Sequence, residues 1–317
     1  MDDVKSRRYL LSAEELAGVA GEKALSKISS EEFVSLPGGR KGVLPLAVRR
    51  TLEAKGTDYS FRVVAHINLR GGVGKTTCAV TAATRAAQYG FKTCVMDLDM
   101  QASASLSFGV VLEESEPVFC DVWQAPADRL QSSLRKVDEG LYLLPSSLEN
   151  GLADSMLSAS PAHQKKAARV VCDQLEAEEF DLVFIDCPPS LGVMVVSAVC
   201  AADIIVIPIW SDACSYRGLK LALQEISSIR ETFGLPAPEI RILFTRCDAR
   251  ESLSNETIRK MKEEYPEYFC PAIIRTSTEF AKTLERSETV FASHRKTTAR
   301  EDYDSYVRDL LNIKTSL

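Results

Sequence analysis

HINLRGGVGKTTCAV, residues 66–80, decides how this chain is read. It follows an apolar run of strand type, FRVVAHINL (61–69), and opens a helical pattern from Lys75 to Tyr89. Gly90 ends that helix, since glycine takes the left-handed conformation that closes one. A glycine-rich turn between a strand and a helix suits phosphate. Gly71, Gly72 and Gly74, with Val73 among them, let successive backbone N–H groups face one concavity, and the helix N-terminus adds its dipole. Lys75 brings a mobile point charge for the β- and γ-phosphates. Thr76, followed by Thr77, offers a hydroxyl to an octahedral Mg²⁺.

Outward from the loop, short apolar runs alternate with longer amphipathic ones: KTCVMD (92–97), LYLLP (141–145), DLVFID (181–186), DIIVIPIW (203–210), RILFT (241–245) and AIIRT (272–276). Several are apolar at consecutive positions, as strands covered on both faces are. The pattern predicts a doubly wound, mostly parallel α/β sheet of the P-loop type, closed by a terminal helix over 300–313. Residues 1–57 show no clear strand. Ser12 with Glu15 and Ser29 with Glu32 have capping-box spacing, and a turn over 37–42 precedes a helix from Pro45 to Lys55. We expect a separate small helical unit over 1–57, joined near Gly56 to Tyr59 to a main domain over 58–317.

Composition narrows the classes. With 45% hydrophobic and 26% charged residues in 317, the chain is globular rather than disordered. It shows no signal-type segment and no run of about 18 apolar residues, so a cytoplasmic location is expected. Nine scattered cysteines without a C-x-x-C pair indicate a reducing compartment, and three distant histidines argue against a zinc site. A net charge of −6 excludes bulk attraction to nucleic acid, although residues 1–57 carry ten Lys and Arg against eight Asp and Glu.

The loop departs from G-x-x-x-x-G-K-[ST], because Leu69 stands where the first glycine belongs. RGGVGKTT instead resembles the deviant loop K-G-G-x-G-K-[ST] of the ParA/MinD ATPases, with Arg70 for the opening lysine. MDLDMQAS (96–103) is similar to the family's D-x-D-P-Q-G, with Met100 for proline, and FDLVFIDCPPS (180–190) to its D-x-P-P segment, making Asp186 the Walker B carboxylate. PIWSDACSYRGL (208–219), TRCDARESLS (245–254) and AREDY (299–303) continue the likeness, which covers roughly residues 60 to 313 and is nearer ParA than MinD.

The resemblance implies Mg²⁺-dependent ATP hydrolysis, slow without a partner. Lys75 and the loop hold phosphate; Thr76 holds the metal directly and Asp186 through water. Asp99 positions the attacking water, and Asp97 supports the metal environment. Arg70 reaches the partner's nucleotide in an ATP-dependent homodimer, the guanidinium fork suiting phosphate oxygens. Such dimers bind DNA without sequence preference, here through Arg250, with Arg217, Lys220 and Arg230 as weaker candidates, and a ParB-like partner stimulates release. The implied role is partition of DNA or another large cargo, in the cytoplasm on the nucleoid.

The helices near Arg40, Lys41, Arg49 and Arg50 read equally as a helix-turn-helix unit, a dimer arm or a docking site. Cys187 reads as packing rather than as the cluster ligand of a nitrogenase-iron-protein relative. The stripe Tyr303, Tyr306, Val307, Leu310 and Leu311 reads as packing, because Asp302, Asp304 and Asp309 outweigh Arg308 on any membrane-facing surface. Stable membrane association is therefore not expected. Two alternatives remain open: a MinD-like membrane-associated spatial regulator and an ATP-switched transcriptional repressor.

Overall fold

The computed structural model describes residues 8–113, 116–158, 160–190, 192–210, 213–248 and 252–314; the DNA-contact candidate Arg250 lies outside them. The strands run β1 Leu11–Ser12, β2 Phe33–Leu36, β3 Arg40–Val43, β4 Arg62–His66, β5 Thr93–Asp97, β6 Arg135–Asp138, β7 Leu141–Leu144, β8 Leu182–Asp186, β9 Ile204–Ile209, β10 Glu239–Cys247 and β11 Phe269–Arg275. Eight of them form one sheet in the order β11-β10-β9-β4-β8-β5-β7-β6. Every pairing in it is parallel except β6 with β7.

β5, β8 and β9 are buried along their whole length, which explains their unbroken apolar character. Alternate residues serve two cores. Val64 and Val95 face the helices Lys75–Gln88 and Thr298–Leu310, whereas Val63 and Met96 face Pro161–Ala177 and Val193–Ala201. The terminal helix seals the first of these cores, with Tyr303, Tyr306, Val307, Leu310 and Leu311 all buried. Its apolar stripe is thus internal packing.

The N-terminal segment corrects the expectation of an all-helical unit. The turn over 37–42 joins strands rather than helices: Gly38 and Gly39 both have positive φ and reverse the chain between β2 and β3, with Leu36 opposite Arg40. β1 pairs with the other edge of β3, completing a small antiparallel sheet. The basic residues Arg40 and Lys41 therefore stand on a strand, β3, ahead of the helix Pro45–Glu53. The capping boxes form as the spacing requires, Ser12 Oγ accepting from Glu15 N and Glu15 Oε2 from Ser12 N. β6 is a further unforeseen strand, a short polar edge paired antiparallel to β7.

This segment packs into the main core. Leu11, Leu16, Val48 and Leu52 belong to one apolar cluster with Ala83, Phe91 and Tyr303. Charge reinforces the contact: Glu15 Oε1 accepts from Arg85 Nη1 at 3.0 Å and Arg300 Nη2 at 2.7 Å, and Arg49 Nη2 donates to Asp181 at 3.0 Å. Gly90 lets the two parts approach, since a Cβ there would stand 2.7 Å from Arg49 N and Pro45 O.

Candidate functional site

β4 delivers the loop, and its neighbours deliver carboxylates. His66, Asp186 and Asp97 end the adjacent strands β4, β8 and β5, and pair in register, His66 with Asp186 and Asp186 with Asp97. Gly72 and Gly74 take φ of 77° and 92°, and open space lies where their Cβ atoms would point. That conformation curls the backbone around a concavity which a side chain would obstruct. Val73 is buried and anchors the loop, its carbonyl accepting from Thr245 Oγ1 at 2.8 Å.

Lys75 begins the following helix and donates from Nζ to the Arg70 carbonyl at 3.0 Å. Burial pulls its pKa below the ordinary value, against the attraction of Asp186 and Asp99. The three carboxylates differ in their partners. Asp97 is wholly buried; its Oδ2 accepts from Ser105 N and Oγ at 2.9 and 2.8 Å, and its Oδ1 accepts from Asp99 N at 3.2 Å. Burial nevertheless raises its pKa to about 7. Asp99 stands on the cleft wall, its Oδ1 accepting from Gln101 N at 3.0 Å. Asp186 is wholly buried, with neither oxygen in a protein hydrogen bond. Burial and then Asp97 push its pKa well up, while the Thr76 hydroxyl and Lys75 pull the other way.

A buried carboxylate that makes no protein hydrogen bond, close to the Thr76 hydroxyl at the foot of the loop, suits a divalent cation. Thr76 and Asp186 therefore fit Mg²⁺. Asp97, expected to support the metal environment, stands beside Asp186 on the next strand, and both its oxygens accept hydrogen bonds from the segment that carries Asp99.

The loop opens on a cleft of about 610 Å³ lined by Gly71, Gly72, Gly74, Lys75, Thr76 and Asp99 among others. An adjoining cleft of about 740 Å³ shares Thr77, Ser107, Arg246 and Leu284 with it and continues past Trp210, Asp248, Ser277 and Phe280. The pair has the layout of a site for a phosphate chain and a larger, flatter group.

Sequence reasoning did not single out Ser105, Trp210 or Arg246. Arg246 takes φ of 51° and lies over the Trp210 ring, 4.6 Å from its centroid. Such a backbone is uncommon for a residue with a Cβ. Arg70 is half-buried, its guanidinium 5.2 Å from the same centroid.

The surface candidates scatter. Arg217 and Lys220 are exposed on the helix Ala213–Phe233, Lys220 3.6 Å from Glu264, while Arg230 is half-buried and donates to the Pro236 carbonyl. Arg40 and Lys41 are exposed on β3, but Arg49 and Arg50 are engaged with Asp181 and Glu32. Cys187 is buried, as packing requires. Among the described residues, no helix is long and apolar enough to cross a membrane.

A parallel sheet with a glycine loop between its first long strand and helix, and carboxylates on the neighbouring strand ends, defines the P-loop nucleoside-triphosphatase class. Residues 61–242 match the AAA domain family. The cell division protein PomZ of Myxococcus xanthus is 28% identical over 268 residues, covering 83% of this chain and 82% of PomZ. The chromosome partitioning protein ParA of Caulobacter vibrioides is 27% identical over 259 residues, covering 79% and 94%. Among solved structures, cobyrinic acid a,c-diamide synthase of Mycobacterium smegmatis, with bound ATP analog and magnesium, superposes with a TM-score of 0.68 at 26% identity, covering 80% of this chain and 94% of that one. The chain belongs to the AAA domain family and, within it, to the ParA/MinD type of partition and positioning ATPases.

Proposed function

We propose that this chain hydrolyses ATP to time its hold on DNA: it pairs with a second copy when ATP is bound, the pair holds DNA without sequence preference, and partner-stimulated hydrolysis releases it. The observation that carries the reading is Asp186, a fully buried carboxylate with no hydrogen-bond donor at either oxygen, set at the foot of an open glycine cradle.

The loop N–H groups and Lys75 bind and orient the triphosphate. Thr76 would hold Mg²⁺ directly and Asp186 through water, and the ion when bound would supply positive charge at the phosphate oxygens. Asp99, on the cleft wall, orients the attacking water. Asp97, by tying Ser105 and the Asp99 backbone together, keeps that carboxylate at its station. Arg70, at the rim, adds charge from one copy to the nucleotide of the other. Arg217 and Lys220 offer exposed cations for phosphates of DNA, with Arg230 beside them on the same helix; the −6 net charge makes any such contact local. The expected location is cytoplasmic, on the nucleoid, with a ParB-like protein as the activator on the cargo.

Phosphate release and sizing of the full chain and of Asp99→Ala, each with and without nonspecific DNA, test the reading. Asp99→Ala should bind ATP, release no phosphate and accumulate as a DNA-bound dimer. A monomer under every condition would refute it.

A further inference from the structure

The guanidinium of Arg70 rests on the Trp210 indole, 5.2 Å from the ring centroid, and its Nη1 donates to Ser215 Oγ at 3.4 Å. Its backbone is tied to the same neighbourhood. Arg70 N donates to Asn68 Oδ1 at 2.9 Å, and Asn68 Nδ2 donates to the carbonyl of Pro208 at 2.7 Å, two residues before Trp210. Arg246 occupies the same ring at 4.6 Å and also lines the cleft at the glycine loop. One indole thus gathers two cations beside the phosphate cradle, where their mutual repulsion opposes the π attraction.

The link to the nucleotide runs through Lys75. Its ammonium donates to the Arg70 carbonyl at 3.0 Å, yet the same ammonium is the loop's cation for phosphate. A phosphate oxygen forms a charge-assisted bond stronger than that to a neutral carbonyl, so a bound triphosphate takes Lys75 away from Arg70. The turn carrying Arg70 then loses one of its backbone ties.

We propose that Trp210 is a positioning residue that docks Arg70 away from the phosphate cleft, and that triphosphate capture by Lys75 undocks Arg70 for the face on which a second copy closes. The proposal rests on the ATP-dependent pairing described above. It makes Arg70 a delayed reporter of a loaded cradle, withheld from a copy that carries no triphosphate.

The chain has two tryptophans, Trp123 and Trp210, so the full chain with Trp123→Phe leaves one indole to watch. Acrylamide quenching of Trp210 is measured in this background and in its Arg70→Ala and Arg70→Lys derivatives, with and without Mg²⁺ and a non-hydrolysable ATP analogue. Sizing is recorded on the same samples. Without the analogue, Arg70→Ala should be quenched more strongly than the parent, with Arg70→Lys between them, because the ring has lost its cover. With the analogue, parent and Arg70→Ala should converge, since Arg70 covers the ring in neither. The convergence must come from stronger quenching of the parent; convergence by weaker quenching of both, as an analogue lying against an indole of the adjoining cleft would give, refutes undocking. If dimers form while the quenching difference persists with the analogue, or if no difference exists without it, docking is refuted and the ATPase reading stands. If the analogue binds and no dimer forms, the pairing itself is refuted and this proposal falls with it.

Discussion

Replacing Glu15 by glutamine should cost the protein about 3 kcal/mol of stability, the low end for breaking a buried ion pair. Glu15 meets Arg85 and Arg300 at 3.0 and 2.7 Å, and His294 Nδ1 stands 3.6 Å away. The side chains of Arg85 and Arg300 are 3% and 8% exposed, so the lost charge leaves cations that water reaches poorly. Arg85 keeps Asp304 at 2.7 Å, which is why the low end applies. Burial alone would raise the Glu15 pKa, but Arg85, His294 and Arg300 together hold it far below the ordinary 4.5. A carboxyl depressed on folding contributes its full stability above its unfolded pKa and loses it as pH falls toward the folded value. The deficit of Glu15→Gln should therefore be full at pH 7.5 and shrink as pH drops below about 4.5. Urea unfolding followed by circular dichroism and by tryptophan emission checks both. The two probes should move together, because residues 11–52 share a core with the helix after the loop. A loss under about 0.5 kcal/mol, as for a solvated surface pair, would refute the reasoning. So would a separate early transition from the N-terminal segment.

Asp186→Asn should abolish Mg²⁺-dependent turnover yet stabilise the nucleotide-free protein by about 1–3 kcal/mol at pH 7.5, raising its melting temperature, since it removes a buried carboxylate that makes no protein hydrogen bond and is costly to ionise. The folded pKa of Asp186 is raised, so its penalty is absent at low pH and grows as pH rises above 3.8; differential scanning fluorimetry across pH reads the sign, and a less stable variant would count against it. Gly90→Ala should cost about 2 kcal/mol or more in urea unfolding, because φ is 86° and the new Cβ would meet Arg49 N and Pro45 O at 2.7 Å. Arg217→Glu should weaken ATP-dependent DNA binding and flatten its salt dependence by about one unit of slope; an unchanged slope in a filter-binding titration would remove this helix face from the DNA site.

What was legible in the sequence was whatever repeats or must be local. β5, β8 and β9 announced themselves because burial on both faces leaves no polar position to interrupt them. The cradle was legible because Gly72, Gly74, Lys75 and Thr76 act within one turn of chain. β6 was hidden by its composition: Arg135, Lys136 and Asp138 read as loop, and only pairing with β7 makes them strand. In the hairpin of β2 and β3, only four residues flank each side of a turn whose glycines also suit a loop between helices. Trp210 and Arg246 escaped because their chemistry lies in a contact across 36 residues that no spacing encodes. The role of Asp97 turned on Ser105, an ordinary residue until the helix Ser103–Ser107 aims its N–H and hydroxyl at one carboxylate oxygen.

The stitching of early to late residues has a consequence for how the protein is made. The Tyr9 hydroxyl accepts from Thr289 N, and Glu15 waits for Arg300, so neither contact exists until nearly the whole domain has left the ribosome. Until then the helix behind the glycine loop has one flank bare, with Arg85 lacking Asp304 and the apolar seat of Tyr303 open to water. A ribosome stalled before residue 300 thus presents quality-control factors with an apolar face that the completed molecule conceals.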